Sequence, residues 1–367
     1  MSIFVLMAGG TGGHLFPAMA LAQELRRRGH VIHLMTDERV ANYGDKFPAR
    51  DIHVVPSATP SLSNPIMLFK AGMIIVGGVF VAWQKLREIR PDVVVGFGGY
   101  PVFPPFLAAR LLGIPGVLHE QNAVLGRANR ALARFANALA LSFEFTSFAD
   151  RFKVDQVETG NPVRDRVREA AAGIGYSILR ENEAVRLLVF GGSQGARVFS
   201  DLVPAAIATM PEAIRKRLLI TQQCRPEDLE RVTAIYREAK VNVELAAFFD
   251  DLPQRMAEAH LVICRSGAST IAELTVLGRP SIMIPLPGSL DADQANNAAF
   301  VEASGGGWLE EQATVSPQSL ATRLEELIGE PQLLAEAAEN AKLLGQPEAV
   351  ERLADLAEKT ATKGRSR

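Results

Sequence analysis

An α/β chain of two Rossmann-like, doubly wound parallel-sheet domains is what this 367-residue sequence predicts. Three observations carry the prediction. Short β-branched runs alternate with longer amphipathic runs, the pattern of βαβ units around a parallel sheet. That pattern starts twice, each time as an apolar strand running into a glycine turn: Ile3–Met7 into Ala8-Gly9-Gly10-Thr11-Gly12-Gly13-His14, and 186–190 into Gly191-Gly192-Ser193-Gln194-Gly195-Ala196. The length also exceeds what a single core usually fills, so two domains are the ordinary division.

In order, strands are expected at Ile3–Met7, 31–35, 53–55, Val93–Gly96, 116–119 and Ala138–Leu141 in the first half. The second half supplies 186–190, 219–221, 243–245, Leu261–Cys264 and 281–284. The first helix is expected over 16–28, directly after the glycine turn. The boundary falls between Asn161-Pro162 and the polar stretch 171–183, where apolar periodicity stops. This gives domains 1–161 and 162–345. Residues 346–367 remain as a C-terminal helix and a frayed basic tail (Lys363, Arg365, Arg367) that can pack back on the first domain. Ligands of open α/β sheets bind beyond the carboxyl ends of the strands, so two such domains facing one another would put their glycine loops on a shared cleft.

Composition bounds the function. With 48% hydrophobic and 22% charged residues the chain reads as globular, which excludes wholesale disorder. Cys224 and Cys264 have neither metal-ligand spacing nor a secretory context, so they read as core thiols of a reduced, cytosolic protein. The start MSIFVLMAGG lacks a basic n-region and a cleavage site and reads as a strand, not a signal peptide. The longest apolar stretch, 71–83, has 13 residues against the roughly 18 needed to cross a bilayer, so at most peripheral attachment is expected. The charge of −2 divides unevenly, with 16 Lys+Arg against 12 Asp+Glu in residues 1–160 and 23 against 29 in the remainder. In the basic half, Met67, Leu68, Phe69, Met73, Ile74, Ile75, Val79, Phe80 and Trp83 are bordered by Lys70, Lys85, Arg87 and Arg90. That composition suits a helix in an anionic headgroup layer, and a buried core helix looks similar.

The first glycine turn is built to approach an anion: Gly9, Gly10, Gly12 and Gly13 can take φ > 0 and let a ligand reach the N–H groups opening the next helix. Asp37 stands where a dinucleotide fold places its ribose acid, but a G-x-G-x-x-G counted from Gly10 needs glycine where Leu15 stands, and the second loop offers no match. His14 adds a side chain that can move a proton near neutral pH. Gly98-Gly99-Tyr100-Pro101 is a third glycine turn at a strand end, and three such turns point to a ligand with more than one phosphate. His119-Glu120-Gln121-Asn122 would line a cleft wall or form a solvated loop. Gly160-Asn161-Pro162-Val163-Arg164 brings an arginine to the junction, or is only a linker turn. Arg265-Ser266-Gly267-Ala268-Ser269-Thr270 with Glu273 reads as a Ser/Thr cap with a downstream carboxylate, or as free helix N–H groups for a diphosphate with a carboxylate for a ribose diol. Asp291-Ala292-Asp293-Gln294-Ala295-Asn296-Asn297 is an amide-rich run that reads sugar hydroxyls or simply starts a polar helix. Its acidic pair reads as loop surface, not a metal bridge.

Taken together, GGTGGH at 9–14, GFGGYP at 96–101, HEQN at 119–122, GNPVR at 160–164, GGSQGA at 191–196, CRSGASTIAE at 264–273 and DQANNA at 293–298 resemble, in order and spacing, the MurG family of bacterial peptidoglycan N-acetylglucosaminyltransferases. The likeness covers about residues 3–300. One departure is Val102-Phe103, where the family often has a small Ser-Gly type pair, which bears on how that loop meets an acceptor. The resemblance implies a GT-B fold with the acceptor, lipid I (undecaprenyl-pyrophosphoryl-MurNAc-pentapeptide), on the first domain and UDP-GlcNAc on the second. It implies that Arg164, Ser193, the backbone at Phe249, the helix start Ala268, Ser269, Thr270 and Ile271, and Glu273 hold UDP. Asn122 and Gln294 would face the GlcNAc, and Thr11, Gly12 and Gly13 the diphosphate and sugar.

On that reading His14 is the general base that takes the MurNAc 4-hydroxyl proton, and a single displacement inverts the anomeric centre. Arg164 and helix N-termini would stabilise the departing diphosphate without a metal or other cofactor. The expected setting is peripheral, at the cytoplasmic face of the inner membrane. An anionic membrane surface and cell-wall synthesis proteins are candidate partners, and no nucleic acid is expected. The rivals are a GT-B transferase with another lipid or small-molecule acceptor, a UDP-GlcNAc epimerase, and a non-catalytic UDP-sugar sensor in which His14 is idle.

Overall fold

The computed structural model describes residues 1–9, 11–39, 47–59, 64–180, 182–192 and 195–365, and the chain divides into two units, Met1–Arg164 with Pro347–Arg367, and Asp165–Gln346. The first unit runs β1 (Ile3–Met7), α1 (Gly12–Arg27), β2 (Val31–Thr36), β3 (Asp51–Val54), α2 (Pro65–Ile89), β4 (Val93–Gly96), α3 (Phe103–Leu111), β5 (Gly116–Glu120), α4 (Arg127–Leu132), β6 (Ala138–Leu141) and β7 (Asp155–Glu158). Its seven strands form one parallel sheet in the order β3-β2-β1-β4-β5-β6-β7.

Why the central strands read as unbroken apolar runs is visible in β1. Phe4 and Leu6 enter the core on one face of the sheet, with Leu15, Leu21 and Leu25 of α1. Val5 and Met7 enter the core on the other, with Ala82 and Leu86 of α2 and Phe106 of α3. A strand covered by helices on both faces has no polar side to show.

The second unit runs α5 (Asp165–Gly173), β8 (Val185–Phe190), α6 (Arg197–Thr209), α7 (Glu212–Arg215), β9 (Leu218–Gln223), α8 (Leu229–Glu238), β10 (Asn242–Ala246), α9 (Leu252–Glu258), β11 (Leu261–Cys264), α10 (Ala268–Leu277), β12 (Ser281–Met283), α11 (Asp293–Ala303), β13 (Gly307–Leu309), α12 (Pro317–Gly329) and α13 (Pro331–Leu344). Its sheet is also parallel, in the order β10-β9-β8-β11-β12-β13. The last helix, α14 (Ala349–Arg365), belongs to the first unit: Leu353, Ala354, Ala357 and Ala361 fill the α1 side of its core. Arg28 Nη1 donates to Asp355 Oδ1 at 2.6 Å and Glu358 Oε2 at 2.7 Å along the same seam. Helix therefore continues through Lys363 to Arg365, where a frayed tail was expected, and Arg367 lies outside the described residues.

Three expectations need correction. Strands β7 and β13 were not anticipated; each closes a sheet edge, one with the solvent-facing Asp-Gln-Val-Glu and the other with three residues, so neither carries a long apolar run. Helix α1 begins at Gly12, four residues before the expected start, because glycines of poor helix propensity form its first turn. Helix α2 has 25 residues, and its segment Ile66–Ile89 is long and apolar enough to cross a bilayer by length and composition, unlike the 13-residue stretch read from the sequence. One face of it, at Ala71, Gly78, Ala82 and Leu86, is buried.

Candidate active site

Each sheet reverses its winding at one point, and there the loops leaving two neighbouring strands diverge to opposite faces and open a crevice. In the first unit this point lies between β1 and β4, so the loops after Met7 and Gly96 flank it. His14 stands half-buried in the first turn of α1. Its imidazole lies against bare backbone: a Cβ on Gly99 would come within 3.2 Å of Cδ2 and Nε2, and one on Gly98 within 3.6 Å of Cε1, at glycines with φ of +74° and +79°. No side chain caps α1 at Thr11 and its first turn carries no acid, so the helix end presents positive partial charge beside His14. Gly9, Gly12 and Gly13 do not use the positive φ expected of them, and Gly10 lies outside the described residues. What Gly12 provides is room for a ring, since its Cβ would meet Phe16 Cε2 at 3.0 Å. The Arg164 guanidinium stacks over that Phe16 ring at 4.2 Å, which holds a cation near the start of α1.

Behind His14 runs a hydrogen-bonded relay whose direction is fixed by chemistry. His119 Nε2 lies 3.0 Å from the Gly160 carbonyl oxygen, which can only accept, so Nε2 carries the proton. His119 Nδ1 must then accept from the Gln121 amide nitrogen, 2.9 Å away, which also donates to the His119 carbonyl at 3.0 Å. With its nitrogen so turned, Gln121 offers Oε1 to His14 Nδ1 at 3.1 Å. His14 therefore donates from Nδ1 and keeps its lone pair on Nε2, the nitrogen beside Gly99. Burial pushes the pKa of His119 down to about 4, so His119 stays neutral and the sense of its own hydrogen bonds is retained at physiological pH.

Within the HEQN run only part faces His14. Glu120 is buried and fully occupied: Oε1 accepts from the Asn122 N–H and side-chain amide at 3.1 and 3.2 Å, and Oε2 from Gly126 N–H and Asn129 Nδ2 at 2.8 Å each. It holds the loop that starts α4, and Asn122 is tied to it. Asp37, the dinucleotide alternative, is taken up by Arg39, whose Nε donates to it at 2.9 Å.

In the second unit the winding reverses between β8 and β11. After β8 the turn closes so tightly that a Cβ on Gly191 would sit 2.2 Å from the Ala196 nitrogen. Ser193 and Gln194 lie outside the described residues. After β11, Gly267 starts α10 in extended conformation with no side-chain cap and no acid in the first turn. Ser269 and Thr270 sit inside the first turn, after the N-cap position, which Gly267 holds. Glu273 is buried one turn further on. Ser266 Oγ donates to the Gln294 carbonyl at 2.8 Å and Asn297 Nδ2 to the Ser266 carbonyl at 3.1 Å, so the 264–273 and 293–298 motifs meet. Gln294 Oε1 accepts from Leu286 N–H at 3.0 Å. Asp291 and Ala292, with φ of +69° and +51°, are left-handed non-glycine residues immediately before α11, a strain of the kind held at ligand sites. Phe249 is buried beneath the Arg255 guanidinium, 4.5 Å from its ring centroid, in the loop after β10.

Sequence reasoning missed Arg265, which anchors this corner by donating to the Ile284 and Pro285 carbonyls at 2.8 and 2.7 Å and to Gln312 Oε1 at 2.7 Å. It also missed the relay, although the i, i+2 spacing of His119 and Gln121 at a strand end was a usable sign that they share a face.

Comparison with known proteins identifies the family and the fold. Residues 4–141 match the glycosyltransferase family 28 N-terminal domain, and residues 186–353 the glycosyltransferase family 28 C-terminal domain. Two relatives carry the name UDP-N-acetylglucosamine--N-acetylmuramyl-(pentapeptide) pyrophosphoryl-undecaprenol N-acetylglucosamine transferase. The one from Methylobacterium nodulans is 50% identical over 368 residues, covering 100% of this chain and 98% of its own. The one from Agrobacterium fabrum is 49% identical over 364 residues, covering 99% and 96%. The crystal structure of Acinetobacter baumannii MurG superposes with a TM-score of 0.77 at 31% identity, covering 97% of this chain and 99% of that one.

Proposed function

The chain belongs to the MurG family within glycosyltransferase family 28, with the two α/β units of the GT-B fold, and from that premise we propose that it transfers GlcNAc from UDP-GlcNAc to the MurNAc 4-hydroxyl of lipid I. The observation that carries the mechanism is the relay that leaves a lone pair on His14 Nε2. In this reading Nε2 takes the 4-hydroxyl proton, the oxygen attacks the anomeric carbon from the face opposite the diphosphate, the bond to the diphosphate oxygen breaks, and UDP leaves as a β-1,4 link forms. The uncapped start of α10, with Ala268, Ser269, Thr270 and Ile271, and the Arg164 cation meet the charge that develops on the leaving diphosphate, a helix end contributing up to about 2 kcal/mol in partly buried geometry. Glu273 takes the ribose diol. Ser193 and the Phe249 backbone complete the UDP contacts, Asn122 and Gln294 the sugar contacts, and Thr11, Gly12 and Gly13 the diphosphate side.

The test is a reaction of the purified protein with UDP-GlcNAc and a lipid I analogue in the presence of a chelator. One UDP should be released per disaccharide formed, with no sugar conversion when acceptor is omitted. Binding of UDP-GlcNAc without product would leave the sensor reading, and conversion without acceptor the epimerase.

Attachment to the cytoplasmic face of the membrane rests on α2. Phe69, Met73, Val76 and Phe80 expose 70, 61, 66 and 58% of their surface, and Lys70 is exposed among them. Val79 and Trp83, expected in the same patch, instead pack against the core, with the Arg87 guanidinium 4.6 Å from the Trp83 ring centroid. The buried stripe holds the helix to its unit: a Cβ on Gly78 would fall 2.0 Å from the Pro56 carbonyl oxygen. A helix fastened along one side and apolar along the other fits a membrane surface better than a span. Changing Phe69, Met73, Val76 and Phe80 together to serine should weaken binding to anionic vesicles about tenfold or more, and salt should weaken the unaltered protein's binding. Unchanged sedimentation with vesicles would remove α2 from this role.

A further inference from the structure

Apart from these residues, the described part of the chain holds one group of side chains with the composition of a metal site: His33, Asp51 and His53. The sheet brings them together. Parallel pairing of β2 with β3 sets His33 opposite Asp51 and Met35 opposite His53, and residues two apart on a strand share a face, so all three side chains leave the same side. His33 is buried, His53 half-buried and Asp51 exposed, at the edge of the sheet formed by β3.

Their spacing is unusual for hydrogen bonds. His33 Nδ1 stands 3.3 Å from Asp51 Oδ2 and 3.4 Å from His53 Nε2, and the three ligand atoms all lie within 4.8 Å of one another. Both short separations exceed the usual hydrogen-bond range of about 2.7–3.2 Å, and a single Nδ1 proton cannot serve both partners well. Bonds of about 2.0–2.1 Å to a tetrahedral ion separate neighbouring donor atoms by about 3.3–3.4 Å, which is the spacing of His33 Nδ1 from each of its two neighbours. The competing neighbours are weak or distant: Arg50 Nε is 4.0 Å from Asp51 Oδ2, and Lys85, which acts on His53 through space, is paired with Glu88.

We propose that His33 Nδ1, Asp51 Oδ2 and His53 Nε2 bind a divalent ion of the zinc class, with water as fourth ligand, tying the edge strand β3 to β2. Two imidazoles and one carboxylate suit zinc and its late first-row neighbours and disfavour magnesium, which takes oxygen ligands. None of the three residues is among those proposed for the transfer reaction.

Tag-free protein should take one equivalent of Zn2+ from a chromophoric chelator, and none of Mg2+. His53→Ala and Asp51→Asn, at positions the core does not need, should each weaken that equivalent about 100-fold or more while transfer stays within about twofold, since even outer-shell partners of a metal are worth 10–100-fold. The zinc X-ray absorption spectrum should show two imidazoles and oxygen at about 2.0–2.1 Å. Added Zn2+ should raise the unfolding midpoint of the unaltered protein and not of the variants. If His53→Ala fails to fold, Asp51→Asn decides alone. Equal zinc uptake by the protein and the folded variant, or bound zinc without imidazole, overturns the assignment and leaves a hydrogen-bonded His-His-Asp cluster.

Discussion

His14→Ala should lower kcat for GlcNAc transfer by about 10²–10⁴, the usual worth of a positioned general base, with UDP-GlcNAc affinity unchanged. The affinity is spared because the role proposed for His14 is to take a proton from the acceptor, with no contact to UDP-GlcNAc. Gln121→Leu removes the acceptor that fixes His14 Nδ1 as a donor. The ring is then free to place its proton on Nε2, and a loss of about tenfold or more in kcat is expected. Because Gln121 acts only through His14, the double variant His14→Ala with Gln121→Leu should be no slower than His14→Ala alone; groups that work as one unit are strongly non-additive. Additive losses would mean that Gln121 has a separate role, and unchanged turnover in His14→Ala would remove the base. Glu120 is a poor substitute, since both its oxygens are already spent on Asn122, Gly126 and Asn129.

What could be read from the sequence follows from how each element is covered. Strands β4, β6 and β11 are buried throughout, and β1 at every position after Ile3, so unbroken apolar runs marked them. Strand β7, exposed at every position, has no such mark, and its pairing with β6 is dictated by the sheet rather than by its own residues. The extra length of α2 was hidden because polar residues follow Trp83 while Leu86 and Ile89 keep the helical period. The glycine motifs signalled their turns, yet not how each is used: Gly98 and Gly99 take positive φ against His14, whereas Gly12 and Gly13 simply begin a helix. Side chains that act by direction were out of reach, because the sense of the Gly160-His119-Gln121-His14 relay depends on which atom faces which, and sequence records only identity.

Arg279 is the strongest instance of that limit, and Arg279→Met should lower the unfolding midpoint of the second unit by about 6 °C or more. The residue is almost wholly buried, 1% exposed, and no motif or periodicity in the sequence marks it. Its Nε donates to the Ala257 carbonyl at 2.8 Å, Nη1 to the Leu277 and Gly278 carbonyls at 2.8 and 3.1 Å, and Nη2 to the Ile174 and Gly175 carbonyls at 3.0 and 3.1 Å. One guanidinium thereby satisfies the exits of α5, α9 and α10 together, and its plane lies 5.5 Å from the Tyr176 ring centroid. Burial pushes its pKa down to about 10, so the group is still a cation at neutral pH. Methionine would leave those carbonyls buried without donors, at about 1–3 kcal/mol each, so even partial relaxation costs at least about 3 kcal/mol. Lysine retains the charge but concentrates three donors on one atom, which cannot span carbonyls fixed by three separate helices, so Arg279→Lys should recover less than half of the loss. Arg197→Met, on the exposed face of α6, is the control and should stay within about 0.5 kcal/mol of the unaltered protein. Thermal unfolding of all three variants decides the point: if Arg279→Met melts with the control, the carbonyls have found other partners and the guanidinium is not the tie that holds the three helix ends.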